Sequence, residues 1–274
     1  MLRRKVAEQA PGLIPKSHNA MMSNVIEKGN IYGAELESIG DSDSNPDLAY
    51  FAGCVGVFME HESVSQTAAL LKLLGNRVAI IDDLCCGGPC EVGGFEIPEI
   101  ATERVIERVK SLGVAKILTS CPRCSITFRN TPVYREHFQA EHITEFLSGL
   151  GWPELSDRKI TYHDPCELSR IQSITQEPRT VLGKIAPNLI EMPHNRDLTA
   201  CCGAGGGLRG VQARLSIGIA RKRLEEAIDL GAQVLLTECY SCLHNFVNAR
   251  RSTDHIEVFN LSQYLYQLLA DRGK

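Results

Sequence analysis

Ser111-Leu-Gly-Val-Ala-Lys-Ile-Leu-Thr-Ser-Cys121 returns later in the chain as Asp229-Leu-Gly-Ala-Gln-Val-Leu-Leu-Thr-Glu-Cys239. Leu, Gly, Leu, Thr and Cys recur at the same offsets. Each copy reads as the end of a helix, a glycine cap, a short apolar strand and then a cysteine. Outward from this pair the repeat lengthens. In the first half, Ala49 to Cys54 is a strand running into a cysteine, and His61 to Leu74 is a helix ending at Gly75. Arg77 to Leu84 is a strand leading to Cys85-Cys86-Gly87, and Pro98 to Leu112 is an amphipathic helix with Val105, Ile106, Val109 and Leu112 on one face. In the second half, Lys159 to Tyr162 leads through His163-Asp164-Pro165 into Cys166, and Pro178 to Ile185 is a helix. A strand from Leu189 precedes Cys201-Cys202-Gly203, Gln212 to Leu230 is a long helix, and Leu261 to Ala270 is a last one.

Strands alternating with helices predict α/β architecture with parallel sheets. The repeat predicts two pseudo-symmetric β/α domains, 48–150 and 158–274, divided near Gly149-Leu-Gly151-Trp152-Pro153. Function gathers at the carboxyl ends of parallel strands, and every cysteine cluster follows a predicted strand. Residues 1–47 read as an N-terminal arm and linker. Its helical pattern at 11–33 puts Met21, Met22, Val25 and Ile26 on one side, and Gly40 to Pro46 is polar, so a disordered or loosely docked terminus is expected.

The 274 residues are 43% hydrophobic and 23% charged, the profile of a globular chain able to bury a core. A formal net charge of −4 gives no reason to expect nucleic acid or an anionic membrane surface. No apolar run reaches the ~20 residues of a membrane span, and no apolar segment follows the basic Met1–Lys5, so a cytoplasmic location is expected. Eleven cysteines are then an anomaly. In a reducing compartment they favour metal ligation over disulfides.

Ten of them form a doubled pattern. The first half has Cys54, 30 residues, Cys85-Cys86, 34 residues, Cys121, two residues, Cys124. The second has Cys166, 34 residues, Cys201-Cys202, 36 residues, Cys239, two residues, Cys242. Thiolates are the usual ligands of iron–sulfur clusters. Five per half exceed the four of a cubane or a structural zinc site, although two zinc sites with spare cysteines are an alternative. Adjacent cysteines need a sharply bent backbone to face one centre, which Gly87 and Gly203 permit.

With Cys-Cys-Gly at 85–87 and 201–203, His163-Asp164-Pro165-Cys166, Cys201-Cys-Gly-Ala-Gly-Gly-Gly207 and Cys239-Tyr-Ser-Cys242, the chain resembles the cysteine-rich (CCG) domain pair of the B-type heterodisulfide reductase family. The likeness covers about 48–270. It implies two non-cubane 4Fe–4S clusters, each held by five cysteines and facing each other across the domain interface. The implied function is an oxidoreductase acting on sulfur groups, the catalytic subunit of a complex that reduces a disulfide or oxidises thiols. It implies as partners a ferredoxin-like iron–sulfur subunit, expected to dock on the arm at 1–33, and a flavoprotein subunit, with membrane association only through partners. Relatives of the same family suggest two alternatives: a non-catalytic electron-transfer subunit of a glycolate- or lactate-type dehydrogenase, or a subunit of a sulfur-oxidising complex.

Smaller features have competing readings. Gly205-Gly206-Gly207 lacks a phosphate-loop or dinucleotide context and reads as close backbone approach to a cluster. Cys90 is the leftover cysteine, a free or packed thiol. His163 reads as a proton donor or cluster hydrogen bond, or as part of a turn. Arg123 reads as an attractor of an anionic substrate or as a surface residue, and Arg221-Lys222-Arg223 as a solvated helix face.

Overall fold

A computed structural model describes residues 2–35 and 37–272. The chain opens with helices α1 (Leu2–Gln9) and α2 (Lys16–Lys28). The first half follows as β1 (Leu48–Phe51), α3 (Cys54–Met59), α4 (His61–Leu73), β2 (Val78–Ile81), α5 (Gly88–Gly93), α6 (Glu99–Leu112), β3 (Lys116–Thr119), α7 (Pro122–Asn130), α8 (Pro132–Arg135), β4 (Gln139–His142) and α9 (Ile143–Ser148). The second half is β5 (Ile160–Tyr162), α10 (Cys166–Gln172), α11 (Gln176–Ile185), β6 (Leu189–Ile190), α12 (Leu208–Val211), α13 (Ala213–Asp229), β7 (Val234–Thr237), α14 (Tyr240–Ala249), β8 (Glu257–Asn260) and α15 (Leu261–Arg272). Among the described residues no helix is long and apolar enough to cross a membrane.

The strands form two all-parallel sheets of the same order, β2-β1-β3-β4 and β6-β5-β7-β8. The α/β class and the pseudo-symmetry expected from the repeat are both present. The register is shared: Tyr50 of β1 lies opposite Leu118 of β3, and Tyr162 of β5 opposite Leu236 of β7. Strands β1, β2, β5 and β7 are buried at every position. That is why they read as continuous apolar runs, for helices cover both sheet faces. The halves also share one apolar core, in which Tyr50, Leu118 and Leu147 of the first belong with Tyr162, Leu236 and Leu261 of the second. Helix α15 packs on α4 and α11 on α9, two pairings related by the repeat.

The arm is neither loose nor disordered over its described residues. Asp43 N donates to Val78 O at 3.0 Å, while Val78 N donates to Asp43 Oδ2 at 2.8 Å and Ile80 N to Ser42 Oγ at 2.9 Å. The polar linker thus covers the outer edge of β2, where unpaired backbone N–H groups would otherwise face solvent. Upstream, α2 rests on α5 and α6 with Val25 fully buried, and Tyr32 stacks on Phe58 at 4.2 Å. The expected apolar side is real at Val25, but Ile26 is exposed.

Candidate metal centre

Each cysteine group sits just past a strand. Helices α3 and α10 begin at Cys54 and Cys166, while Cys121 and Cys239 cap α7 and α14, whose first turns carry Cys124 and Cys242. Cys85-Cys86 follows β2, and Cys201-Cys202 follows the loop after β6. Ten distant cysteines are therefore gathered into two sets, one per sheet.

Within each set the thiols interact in a single order. Neighbouring thiols perturb one another in pairs, Cys54 with Cys85, Cys85 with Cys86, Cys86 with Cys124 and Cys124 with Cys121. The second set repeats it: Cys166 to Cys201, Cys201 to Cys202, Cys202 to Cys242 and Cys242 to Cys239. Cys202 and Cys242 lie with their sulfurs 3.1 Å apart. All ten thiols expected from the sequence are thus brought together five and five, and none is in a disulfide.

The bend that lets adjacent cysteines share one centre is visible. Gly87 and Gly203 have φ of 81° and 83°, a region that disfavours other residues. The turns also aim backbone N–H groups at sulfur: Gly87 N at Cys85 Sγ (3.4 Å), Gly88 N at Cys86 Sγ (3.4 Å) and Gly203 N at Cys201 Sγ (3.3 Å). One inner thiol of each set is pushed down, Cys86 by hydrogen bonds from Cys124 and Cys85, and Cys201, to about 2, by those from Cys166 and Cys202. Cys201 is the exposed member; Cys121 and Cys166 are partly covered and the other seven are buried. Cys90 is in neither chain. It is fully buried among Val25, Cys54, Cys85 and Ala101, and burial pushes its thiol up to about 12, the state of an inert packed cysteine.

The elements that carry the two sets meet across the halves. Helix α3, which starts at Cys54, packs on α14, and α7 packs on α10, which starts at Cys166. Arg123, inside the first Cys-x-x-Cys turn, pairs with Glu167, next to Cys166. Ser125 donates to Gln172 at 2.8 Å. Tyr240, inside the second Cys-x-x-Cys turn, places its hydroxyl 2.5 Å from that of Tyr50, which donates onward to Ser120 at 3.2 Å. A cavity of about 410 Å3 opens at this junction. Cys54, Cys86, Cys121 and Cys124 line it from the first half, Tyr240 and Arg209 from the second. Met21 and Tyr32 wall it from the arm. Arg123 also lines it, and its Nε is buried without a hydrogen-bond partner among the described residues.

One expectation needs correction, and two other features gain detail. Arg223 is not part of a solvated face. It is 1% exposed, and its guanidinium reaches Glu226, His194 O and His163 Nδ1. The close approach at the glycine run is to the arm: a side chain at Gly207 would meet His18 Nε2 at 2.5 Å. His163-Asp164 is more than a turn. Asp164, 1% exposed, accepts from Arg179 at 2.7 and 2.8 Å and from Arg196 N at 2.8 Å. Burial, reinforced by Arg223, pushes His163 down to about 3. Arg179 and Arg223 carried no signal in the sequence, since arginines on amphipathic helices ordinarily face water.

Soft sulfur donors, five to a set, mostly buried and met by backbone N–H groups, fit an iron–sulfur group in chemistry. Known proteins agree. The chain matches the CCG cysteine-rich domain over residues 48–129 and again over 160–247. It is 31% identical over 226 residues to a subunit of the dihydromethanophenazine:CoB–CoM heterodisulfide reductase of Methanosarcina acetivorans, covering 75% of this chain and 54% of that protein. It is 28% identical to a subunit of the CoM/CoB fumarate reductase of Methanothermobacter marburgensis, over 86% of this chain and 49% of that one. The chain spans roughly half the length of these two relatives. A crystal structure of a hypothetical protein from Helicobacter pylori shares the fold at a TM-score of 0.58 and 13% identity, covering 99% of this chain and 57% of that one. With the doubled motif, the doubled sheet and the doubled domain match all in register, the chain belongs to the CCG cysteine-rich family, which also includes components of heterodisulfide reductases.

Proposed function

We propose that this chain is the iron–sulfur catalytic subunit of a heterodisulfide reductase-like complex, an oxidoreductase acting on sulfur groups. Cys54, Cys85, Cys86, Cys121 and Cys124 would hold one non-cubane 4Fe–4S cluster, and Cys166, Cys201, Cys202, Cys239 and Cys242 a second. When bound, such clusters supply one-electron transfers. The observation that carries the reading is the five-thiol set repeated in the same order in both halves, with a cavity that exposes the first set's Cys54, Cys86, Cys121 and Cys124 at the junction with the second half. The units doing this are 48–150 and 158–274, behind the arm of 1–47.

The reaction needs two electrons and two protons to turn one disulfide into two thiols, or returns them in reverse. The protein's part is to bind and orient. About 410 Å3 suits a small molecule. Met21, Met59 and Val92 offer apolar wall, while Arg123 and Arg209 offer positive charge for an anionic group. Electrons would come from a ferredoxin-like iron–sulfur subunit docking on the outer side of the arm, fed by a flavoprotein subunit. A cytoplasmic location, with membrane contact only through partners, belongs to the same proposal.

The likeness to a fumarate reductase component favours a second reading, a non-catalytic electron carrier between partner subunits. Electron paramagnetic resonance of the anaerobically purified, oxidised protein, with and without added thiol and with iron counted on the same sample, separates the two. A signal that appears only with thiol, on about eight irons per chain, supports disulfide chemistry. Full iron with no thiol response supports the carrier, and a chain without iron refutes both.

A further inference from the structure

The surroundings of the two sulfur sets differ at a buried aromatic position. In the shared register Phe51 follows Tyr50 as His163 follows Tyr162. Phe51 meets Phe128 edge to face at 4.9 Å and 87°. His163 meets Phe246 in the same way, at 4.8 Å and 81°. Phe128 and Phe246 each lie four residues after the last cysteine of their set. The second half thus keeps the packing of the first and exchanges a hydrocarbon ring for an imidazole.

That imidazole has a defined tautomer. Arg223 Nε donates to His163 Nδ1 at 3.3 Å. A guanidinium has no acceptor, so Nδ1 is the acceptor and the ring proton sits on Nε2. Nε2 is buried and has no hydrogen-bond partner among the described residues. A ring nitrogen of His163 and the sulfurs of Cys202 and Cys242 all lie within 4.8 Å of one another. A metal-bound histidine ordinarily donates its other ring N–H to an oxygen acceptor. Here the other nitrogen is already accepting, so binding a metal through Nε2 would strip the ring of its last proton. The arrangement suits a donor to sulfur and not a ligand. Arg223 fixes it from a fully buried position, held by Glu226 and by His194 O at 2.5 Å.

We propose that His163 Nε2–H donates a hydrogen bond to the Cys202/Cys242 thiolates of the second set and makes that site more readily reduced than it would be without the donor, with Arg223 as the residue that positions the ring. A donor to a cluster thiolate disperses its negative charge and favours the more negative, reduced state. Phe51 offers the first set no such side-chain donor. The inference rests on the proposed cluster sites.

The test is a redox titration of anaerobically prepared full-length protein carrying its clusters, followed by electron paramagnetic resonance, on the wild type and His163→Phe. The substitution should lower the reduced-to-oxidised ratio of one centre about tenfold at fixed potential, or about 59 mV for a one-electron couple, and leave the other centre and the iron content unchanged. No shift, or an equal shift of both centres, overturns the proposal. Should the variant lose iron, the wild type labelled with 15N-histidine decides by pulsed resonance. A weak nitrogen coupling supports the N–H donor, while no coupling, or the strong coupling of a directly bound nitrogen, overturns it. Wild-type protein without iron refutes the cluster reading and this proposal with it; iron present with unshifted potentials refutes the proposal alone.

Discussion

Replacing Arg179 by methionine should cost far more than its distance from the sulfurs suggests. Asp164 is 1% exposed and Arg179 5% exposed at the side chain. Asp164 accepts three hydrogen bonds, two of them from Arg179. The remaining one, from Arg196 N, would leave a buried carboxylate without its counter-charge. Charge-assisted hydrogen bonds contribute about 1.5–3 kcal/mol each, which puts the loss of two at about 3–6 kcal/mol. Breaking a buried ion pair by removing one partner costs about 3–5 kcal/mol, in agreement. Arg179 also holds Glu191 at 2.6 and 2.8 Å, but Glu191 is one-third exposed and water replaces most of that loss. The assay is denaturant unfolding followed by circular dichroism on Arg179→Met, Asp164→Asn and the double variant. The Arg179→Met change should cost about 3–5 kcal/mol, and the double variant should recover much of it because no charge is then stranded. Because Asp164 lies between His163 and Pro165-Cys166, the single variant should also retain less iron in the second set. A cost under about 1 kcal/mol, or a double variant as weak as the sum of the singles, would refute the argument.

Cys86→Ser or Cys202→Ser should each remove roughly half the iron, one site of two, whereas Cys90→Ser should leave the iron assay unchanged. His142, buried and with burial pushing it down to about 3, stays neutral in the fold, while the unfolded chain takes a proton below its ordinary value of 6.5. Its contribution is therefore complete above pH 6.5 and is lost as pH falls toward 3. At pH 5 the loss should be about 2 kcal/mol relative to neutral pH, and His142→Asn, whose side-chain oxygen replaces the ring Nδ1 as acceptor at the cap of α9, should flatten that slope in unfolding measured against pH. Gly87→Ala should destabilise by at least about 1–2 kcal/mol, because its φ is +81° and the new methyl would lie 2.3 Å from Ile97 Cγ2; thermal melting checks this, and iron retention should fall with it.

The repeat made much of this molecule legible. Strands β2, β3, β5 and β7 lie within the predicted spans and β1 begins one residue ahead of its span, because a strand covered on both faces writes itself as an apolar run ending at a cysteine. The outer strands β4 and β8 were invisible for the opposite reason. Gln139–His142 and Glu257–Asn260 sit at sheet edges and carry polar residues, so neither alternation nor an apolar run marks them. The linker at 40–46 was misread because its polar side chains resemble solvent-facing loop, while Ser42 and Asp43 accept from the backbone of β2. Composition distinguishes polar from apolar, but does not show whether a polar group's partner is water or a strand edge.

The same ambiguity, pushed inward, explains what the cysteine pattern left out. Ten sulfurs announce themselves by type and spacing, since few structures other than a metal site need so many thiols together. Arg223 announces nothing. Between Lys222 and Leu224 on a long helix, it has the signature of an exposed charge, and only the fold reveals that Glu226, His194 O and His163 replace water around it. A charge is not buried without such compensation. Its compensation ends at a histidine that lies beside the Cys202 and Cys242 sulfurs. Seen from the sequence, Phe51 and His163 are merely unlike residues at matching offsets. Seen with Arg223 in place, they are a point at which the two duplicated sites become chemically different. That is the asymmetry a pair of centres needs if electrons are to move through them in one direction.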